Sequence, residues 1–150
     1  GSGEALAELG YLYSNGSGVE KDKARGLALY QLAVNRGGPL GQARLGFLHQ
    51  TAQVGLARND KEAVRLYRLA AEQGHGLGQF RLGLMYGYGL GVPQNMVHLM
   101  MWHFLSQHNG YDLNSSLGHE GRLEEMTELQ LKEAVRLANE CLEKRYRNCG

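Results

Sequence analysis

An all-α fold, a solenoid of antiparallel helix pairs, is what this sequence predicts, and three observations predict it. The pair Leu-Gly recurs at Leu9-Gly10, Leu45-Gly46 and Leu82-Gly83, spaced by 36 and 37 residues. Apolar side chains around these pairs fall at helical spacing, as Leu6, Leu9, Gly10 and Tyr13 do at i, i+3, i+4 and i+7. The chain of 150 residues holds 22 glycines and 2 prolines without a collagen-like period, so glycine punctuates regular turns.

The first helix of each unit carries the Leu-Gly pair. A small or apolar residue stands two places before the Leu (Ala7, Ala43, Phe80), and a ring stands four places after it (Tyr13, His49, Tyr86). The second helix carries Leu29-Tyr30, Leu66-Tyr67 or Trp102-His103, with a small side chain three places after the ring (Ala33, Ala70, Ser106). Asp22, Asn59 and Asn95 lie just before the second helices. Each is short and polar and suits the N-cap, where a side-chain oxygen accepts a free backbone N–H. Gly37, Gly74 and Gly110 follow those helices and suit the left-handed C-terminal position. Loops Gly16-Ser17-Gly18-Val19 and Gly89-Leu90-Gly91-Val92 join the helices of units one and three. Gly10, Gly46 and Gly83, with Ala33 and Ala70, let helix backbones approach closely. One helix pair cannot bury its apolar face alone, and stacking three does. The units span about 3–38, 39–75 and 76–111, within a single domain, 1–150.

The C-terminal part differs. Thr127-Glu128-Leu129-Gln130 reads as a capping box. It opens a long amphipathic helix expected over about 128–146, after a shorter one at about 114–126. Together, over about 112–149, they form a degenerate fourth unit that caps the stack.

Hydrophobic residues at 43% and charged residues at 21% fit a folded chain rather than a disordered one. Sixteen basic and fifteen acidic residues give a net charge of +1, which favours neither nucleic acid nor an anionic membrane. No apolar run reaches the roughly 18 residues of a membrane span. Gly1-Ser2-Gly3 reads as a cloning remnant, so the lack of a leader says nothing about address.

Few residues point to chemistry. His98, His103 and His108 are spaced by five, which turns neighbours about 140° apart on a helix. Zinc spacings such as His-Glu-x-x-His and Cys-x-x-Cys are missing, so no metal site is expected. Gly87-x-Gly89-x-Gly91 lacks the lysine of a phosphate loop, and no Gly-x-Ser-x-Gly elbow is present. The reading is of a protein that is not an enzyme and takes no cofactor. A hydrolase with its site on the curved face stands as an alternative.

The recurring Ala-x-Leu-Gly-x-x-Tyr, Gly-x-Gly-Val, Asp/Asn, ring, Ala-Ala and Gly resemble the Sel-1-like repeat, a relative of the tetratricopeptide repeat, over about 3–111. Unit two departs from it, with Ala52-Gln53-Val54-Gly55-Leu56-Ala57-Arg58 as its loop, and unit three has Ser106-Gln107 in place of Ala-Ala. The resemblance implies a right-handed superhelix that serves as an adaptor or scaffold for a protein or peptide partner. Residues 112–149 resemble the terminal segment of bacterial members, in which a Met-Thr-initiated helix ends in a cysteine pair. That likeness implies a disulfide between Cys141 and Cys149 and a periplasmic or secreted setting. Two free thiols in a cytoplasmic protein are the alternative.

In proteins of this resemblance the first helices line the concave groove. Three columns beside the core anchors are the candidate binding residues: Tyr11, Phe47 and Leu84; Glu8, Arg44 and Arg81; and Asn15, Thr51 and Tyr88, with Gln50 adjacent. An apolar stripe flanked by two arginines suits a segment with an acidic side chain, because a guanidinium forks a carboxylate. The competing reading has Tyr11, Phe47 and Leu84 packed against neighbouring repeats. A purely structural or self-associating module of a larger repeat array, associating through exposed ends of the stack, is a further reading.

Overall fold

Each helix pair starts and stops on the residues that recur in the sequence. The computed structural model describes residues 2–113 and 126–150. Its helices are α1 (Ser2–Asn15), α2 (Lys23–Asn35), α3 (Pro39–Thr51), α4 (Asp60–Glu72), α5 (Gly76–Tyr88), α6 (Met96–His108) and α7 (Glu128–Glu143). No strand occurs among the described residues. The helix expected at about 114–126 lies outside the described residues.

Asp22, Asn59 and Asn95 cap α2, α4 and α6. Their side-chain oxygens accept the N–H of Arg25, Glu62 and His98, each at 3.0 Å. Their own N–H groups donate back to the carbonyl of the ring residue on the first helix: Tyr13 at 2.8 Å, His49 at 3.0 Å and Tyr86 at 2.9 Å. Thus one residue both starts the second helix and ties it to the first. At the other end Gly37, Gly74 and Gly110 have φ of 71°, 76° and 83°. The following N–H closes onto a carbonyl five residues back: Gly38 on Ala33 at 3.0 Å, His75 on Ala70 at 3.2 Å, Tyr111 on Ser106 at 3.0 Å. This double-bonded stop needs a left-handed residue, which glycine supplies without steric cost.

The loop of unit two lacks the paired glycines. Ala52 and Val54 take φ of 52° and 57° there, and Gly55 75°. A β-branched residue in that region is strained. Val54 is held because it and Leu56 pack on the core.

First helices pack on one another along the stack, α1 on α3 and α3 on α5; α2 and α4 each pack on the first helices before and after them, and α6 packs on α5 and α7. The first helices thus form a continuous row along one side of the stack, called its inner face below. Small residues set the spacing between units. A Cβ added at Gly41 would stand 2.6 Å from Cβ of Ala33, and one at Gly78 would stand 2.5 Å from Cβ of Ala70. The core follows the stack. Ala7, Tyr30, Leu45, Leu48 and Leu66 fill the first junction, and Tyr67, Leu82, Met85, Met101 and Trp102 the second. Leu9 departs from its column: it is 39% exposed, against 7% for Leu45 and 0% for Leu82. Leu45 and Leu82 lie against a preceding helix pair, and Leu9 has none before it among the described residues.

α7 covers α6. Ala138 and Cys141 join Met101 and Leu105 in the core, whereas Leu69, the counterpart of Leu105 in unit two, is exposed. Thr127 and Gln130 make both bonds of the expected capping box, at 3.1 and 2.9 Å. The helix stops at Glu143 rather than near 146, because Arg145 and Tyr146 turn to φ of 52° and 66°. The tail then folds back, and Cys149 closes a disulfide onto Cys141 with Cα atoms 5.3 Å apart. Tyr146 reaches Asn109 through its hydroxyl at 3.1 Å, and Arg68 bonds the Gly150 carbonyl.

Candidate protein-binding face

The inner surface is built from side chains of α1, α3 and α5 that do not point into the core. Leu-Gly anchors rotate these helices so that positions one before and two after the Leu face outward. Those positions are Glu8, Arg44 and Arg81, and Tyr11, Phe47 and Leu84. The structure interlocks the two columns. Arg44 Cζ lies 4.8 Å from the centre of the Tyr11 ring, and Arg81 Cζ lies 4.6 Å from the centre of the Phe47 ring. Each guanidinium therefore leans onto the ring of the unit before it, forming a file Tyr11, Arg44, Phe47, Arg81. A cation over an aromatic face is attracted by the ring quadrupole. The Tyr11 and Phe47 rings thus contact the neighbouring unit through its arginine.

The two arginines are half-buried, and among the described residues neither makes an ion pair or a hydrogen bond. Nε of Arg44 is enclosed without an acceptor. Glu8 heads the same column and is exposed, also without an ion pair among the described residues.

Tyr11, Asn15, Arg44 and Phe47 come together in a pocket of about 120 Å³ between units one and two. Tyr30, Ser14 and Gln53 contribute to its lining. Burial pushes the Tyr30 phenol up, partly opposed by its hydrogen bond with Ser14, so it stays protonated. Gln50 stands outside this pocket. Its Oε1 accepts the Tyr67 hydroxyl at 2.7 Å. Gln50 and Ser14 occupy the same position in their units, so each second-helix tyrosine reaches through the pair to a polar side chain on the inner face. Thr51 turns its hydroxyl back to the Phe47 carbonyl at 2.7 Å. Leu84 is half-buried and Tyr88 exposed, further along the file.

Periodicity alone misses several contributors. Gln42 accepts an amide N–H from Gln73 at 2.8 Å, and Gln79 accepts one from Asn109 at 3.0 Å. These pairs tie the first helix of a unit to the end of its second. His75 caps α5 by accepting the Gly78 N–H on Nδ1 at 3.3 Å. His103 is buried and stacks on Phe80, with ring centres 5.0 Å apart. Among the described residues no cluster of three His, Cys, Asp or Glu could hold a metal ion. No described helix is long and apolar enough to cross a membrane.

None of the curated proteins matches the chain. A solved Sel1 repeat protein from Oxalobacter formigenes is 31% identical over 72% of this chain and 44% of its own, with a TM-score of 0.65. A protective antigen of uropathogenic Escherichia coli strains, with an SLR fold, superposes over 98% of this chain and 39% of its own, at 22% identity and a TM-score of 0.68. The chain thus spans less than half the length of either protein. The Sel1 repeat profile matches residues 3–38, 39–75 and 76–98, and the chain belongs to the Sel1 repeat family.

Proposed function

We propose that this chain is a non-enzymatic scaffold that binds a partner protein or peptide along the face formed by α1, α3 and α5. The observation that carries the reading is the file Tyr11, Arg44, Phe47, Arg81, in which apolar rings and cations without counter-charges share one surface. Rings and arginines are the side chains that most often anchor protein interfaces. The family is generally one of interaction scaffolds, which agrees with this use. The Cys141–Cys149 disulfide supports an oxidising setting, periplasmic or secreted, since such bonds rarely persist in a reducing cytoplasm.

Site-specific photo-crosslinking tests the reading. Benzoylphenylalanine placed at Asn15 or Tyr88 on the inner face should yield a discrete adduct in source cells. The same probe at exposed Leu69 on the outer helix α4 should not. Adducts from Leu69 alone, or none from any position, would refute it.

Self-association is a second reading, favoured by one observation. Leu9 and Leu12 are exposed on α1, while their counterparts Leu45, Leu48, Leu82 and Met85 are buried between units. Sedimentation at several concentrations decides it: a mass that stays monomeric throughout removes it.

A further inference from the structure

We propose that the partner segment is extended and carries three charges in a fixed order: a basic side chain opposite Glu8, then carboxylates opposite Arg44 and Arg81. The inference rests on the reading of α1, α3 and α5 as the docking face. It names the chemistry that the face selects.

Counter-charges are distributed unevenly over the arginines. Arg58, Arg65 and Arg136 each hold a carboxylate, Asp60 at 3.2 Å, Glu62 at 2.6 Å and Glu133 at 2.5 Å. Arg68 is engaged by the Tyr86 hydroxyl at 2.7 Å. Arg44 and Arg81 are half-buried, yet among the described residues they meet only rings. Partial burial strips water from a cation without replacing it, so an incoming carboxylate regains more there than at an open site. Contact with the Tyr11 and Phe47 rings also restrains each guanidinium in advance, which lowers the ordering cost of a forked bond. Since Nε of Arg44 is enclosed, that fork uses the two terminal nitrogens.

Spacing then selects the partner's pattern. The three charges sit at one position on three helices packed side by side, whose axes lie roughly 8–10 Å apart. A polyproline-type strand rises about 3.1 Å per residue and returns to the same side every third residue, a step of about 9 Å. The pattern basic-x-x-acidic-x-x-acidic therefore presents all three charges to Glu8, Arg44 and Arg81. Intervening apolar residues meet the rings and the pocket beside Tyr11.

Fluorescence anisotropy with a labelled peptide, Lys-Pro-Val-Glu-Pro-Val-Glu, tests this. Its comparators carry Gln for both Glu or, as the charge-swapped peptide, Lys for both Glu with the first Lys kept. The unaltered chain should prefer the Glu peptide over the Gln peptide by about tenfold or more, the scale of charge-assisted hydrogen bonds. Arg44→Gln with Arg81→Gln should abolish that preference. Arg44→Glu with Arg81→Glu should switch the preference to the charge-swapped peptide, a gain that an unfolded variant could not show. Equal binding of Glu and Gln peptides by the unaltered chain, or a preference that survives both Gln substitutions, overturns the proposal. Should adducts still form at Asn15 and Tyr88 while the peptides show no acidic preference, the scaffold reading stands and this one falls.

Discussion

A methyl group added to Gly46 would place its carbon 2.8 Å from Cε1 of Tyr67, inside van der Waals contact. Gly10 meets Tyr30 at 3.0 Å and Gly83 meets His103 at 2.9 Å in the same way. The glycine of each Leu-Gly pair is thus the seat for the ring of the second helix, which fixes how close the two helices lie. Gly46→Ala should destabilise the chain by about 1–2 kcal/mol. Overpacking a core costs roughly 1–3 kcal/mol, and alanine returns up to about 1 kcal/mol as the better helix former. Urea unfolding of the variant measures it. A midpoint at or above that of the unaltered chain would show that the ring can shift at no cost.

The Tyr67 ring is fixed at its far end too, because its hydroxyl donates to Gln50 at 2.7 Å. Burial pushes that phenol far above its ordinary range, so it remains a donor at every working pH. Tyr67→Phe should cost about 1 kcal/mol and leave the packing intact. Because Gln50 lies on the inner face, the same change frees its amide there. A double-mutant cycle with Gln50→Ala isolates the bond, and coupling indistinguishable from zero would mean that water replaces it.

Much of this architecture is legible in the sequence because the repeat writes each local rule three times. Asp22, Asn59 and Asn95 announce the second helices, and Gly37, Gly74 and Gly110 their ends, since caps depend on residues within one turn. The binding face is only half legible. Periodicity places Arg44 and Arg81 in one column, but that each stacks on a ring of the preceding unit depends on the offset between units, which no local pattern encodes. The bond from Gln73 to Gln42 spans 31 residues and is hidden for the same reason. Leu9 follows the core pattern and is nevertheless exposed, since burial belongs to the neighbour and not to the residue. His75 escapes notice because imidazole is not among the usual N-cap side chains.

The disulfide closes a short loop over the strained turn at Arg145, Tyr146 and Asn148. Closing a loop of about that length contributes roughly 2.5 kcal/mol in the chain-entropy picture. Reduction, or Cys141→Ser with Cys149→Ser, should lower Tm by on the order of 5–10 °C. It should also release the tail, so that the backbone amides of 145–149 exchange faster while those of α4 keep their protection. Unchanged exchange in the reduced protein would mean that the Asn109–Tyr146 contact and the packing of Tyr146 on Gly74 hold the tail unaided.

Acid should weaken the fold through two histidines before it reaches the carboxylates. Burial depresses the pKa of His75, with Arg44 adding to the effect and Glu4 opposing it. Burial also depresses that of His98, with Arg68 adding to it. Both groups are held neutral when folded, and for His75 neutrality leaves Nδ1 free to accept the Gly78 N–H. A folded pKa below the ordinary 6.5 means that the unfolded chain binds the proton first. Their contribution is therefore complete above that value and is lost as pH falls through it toward the folded values. Glu62, whose pKa lies below the ordinary 4.5 chiefly through its hydrogen bond with Arg65, loses its contribution only at more acid pH. Thermal melts should accordingly show Tm falling between pH 7 and 5.5. His75→Asn keeps a capping oxygen and removes the titration, so it should flatten that slope, and adding His98→Gln should flatten it further. A slope as steep in the double variant as in the unaltered chain would assign the acid sensitivity to other groups.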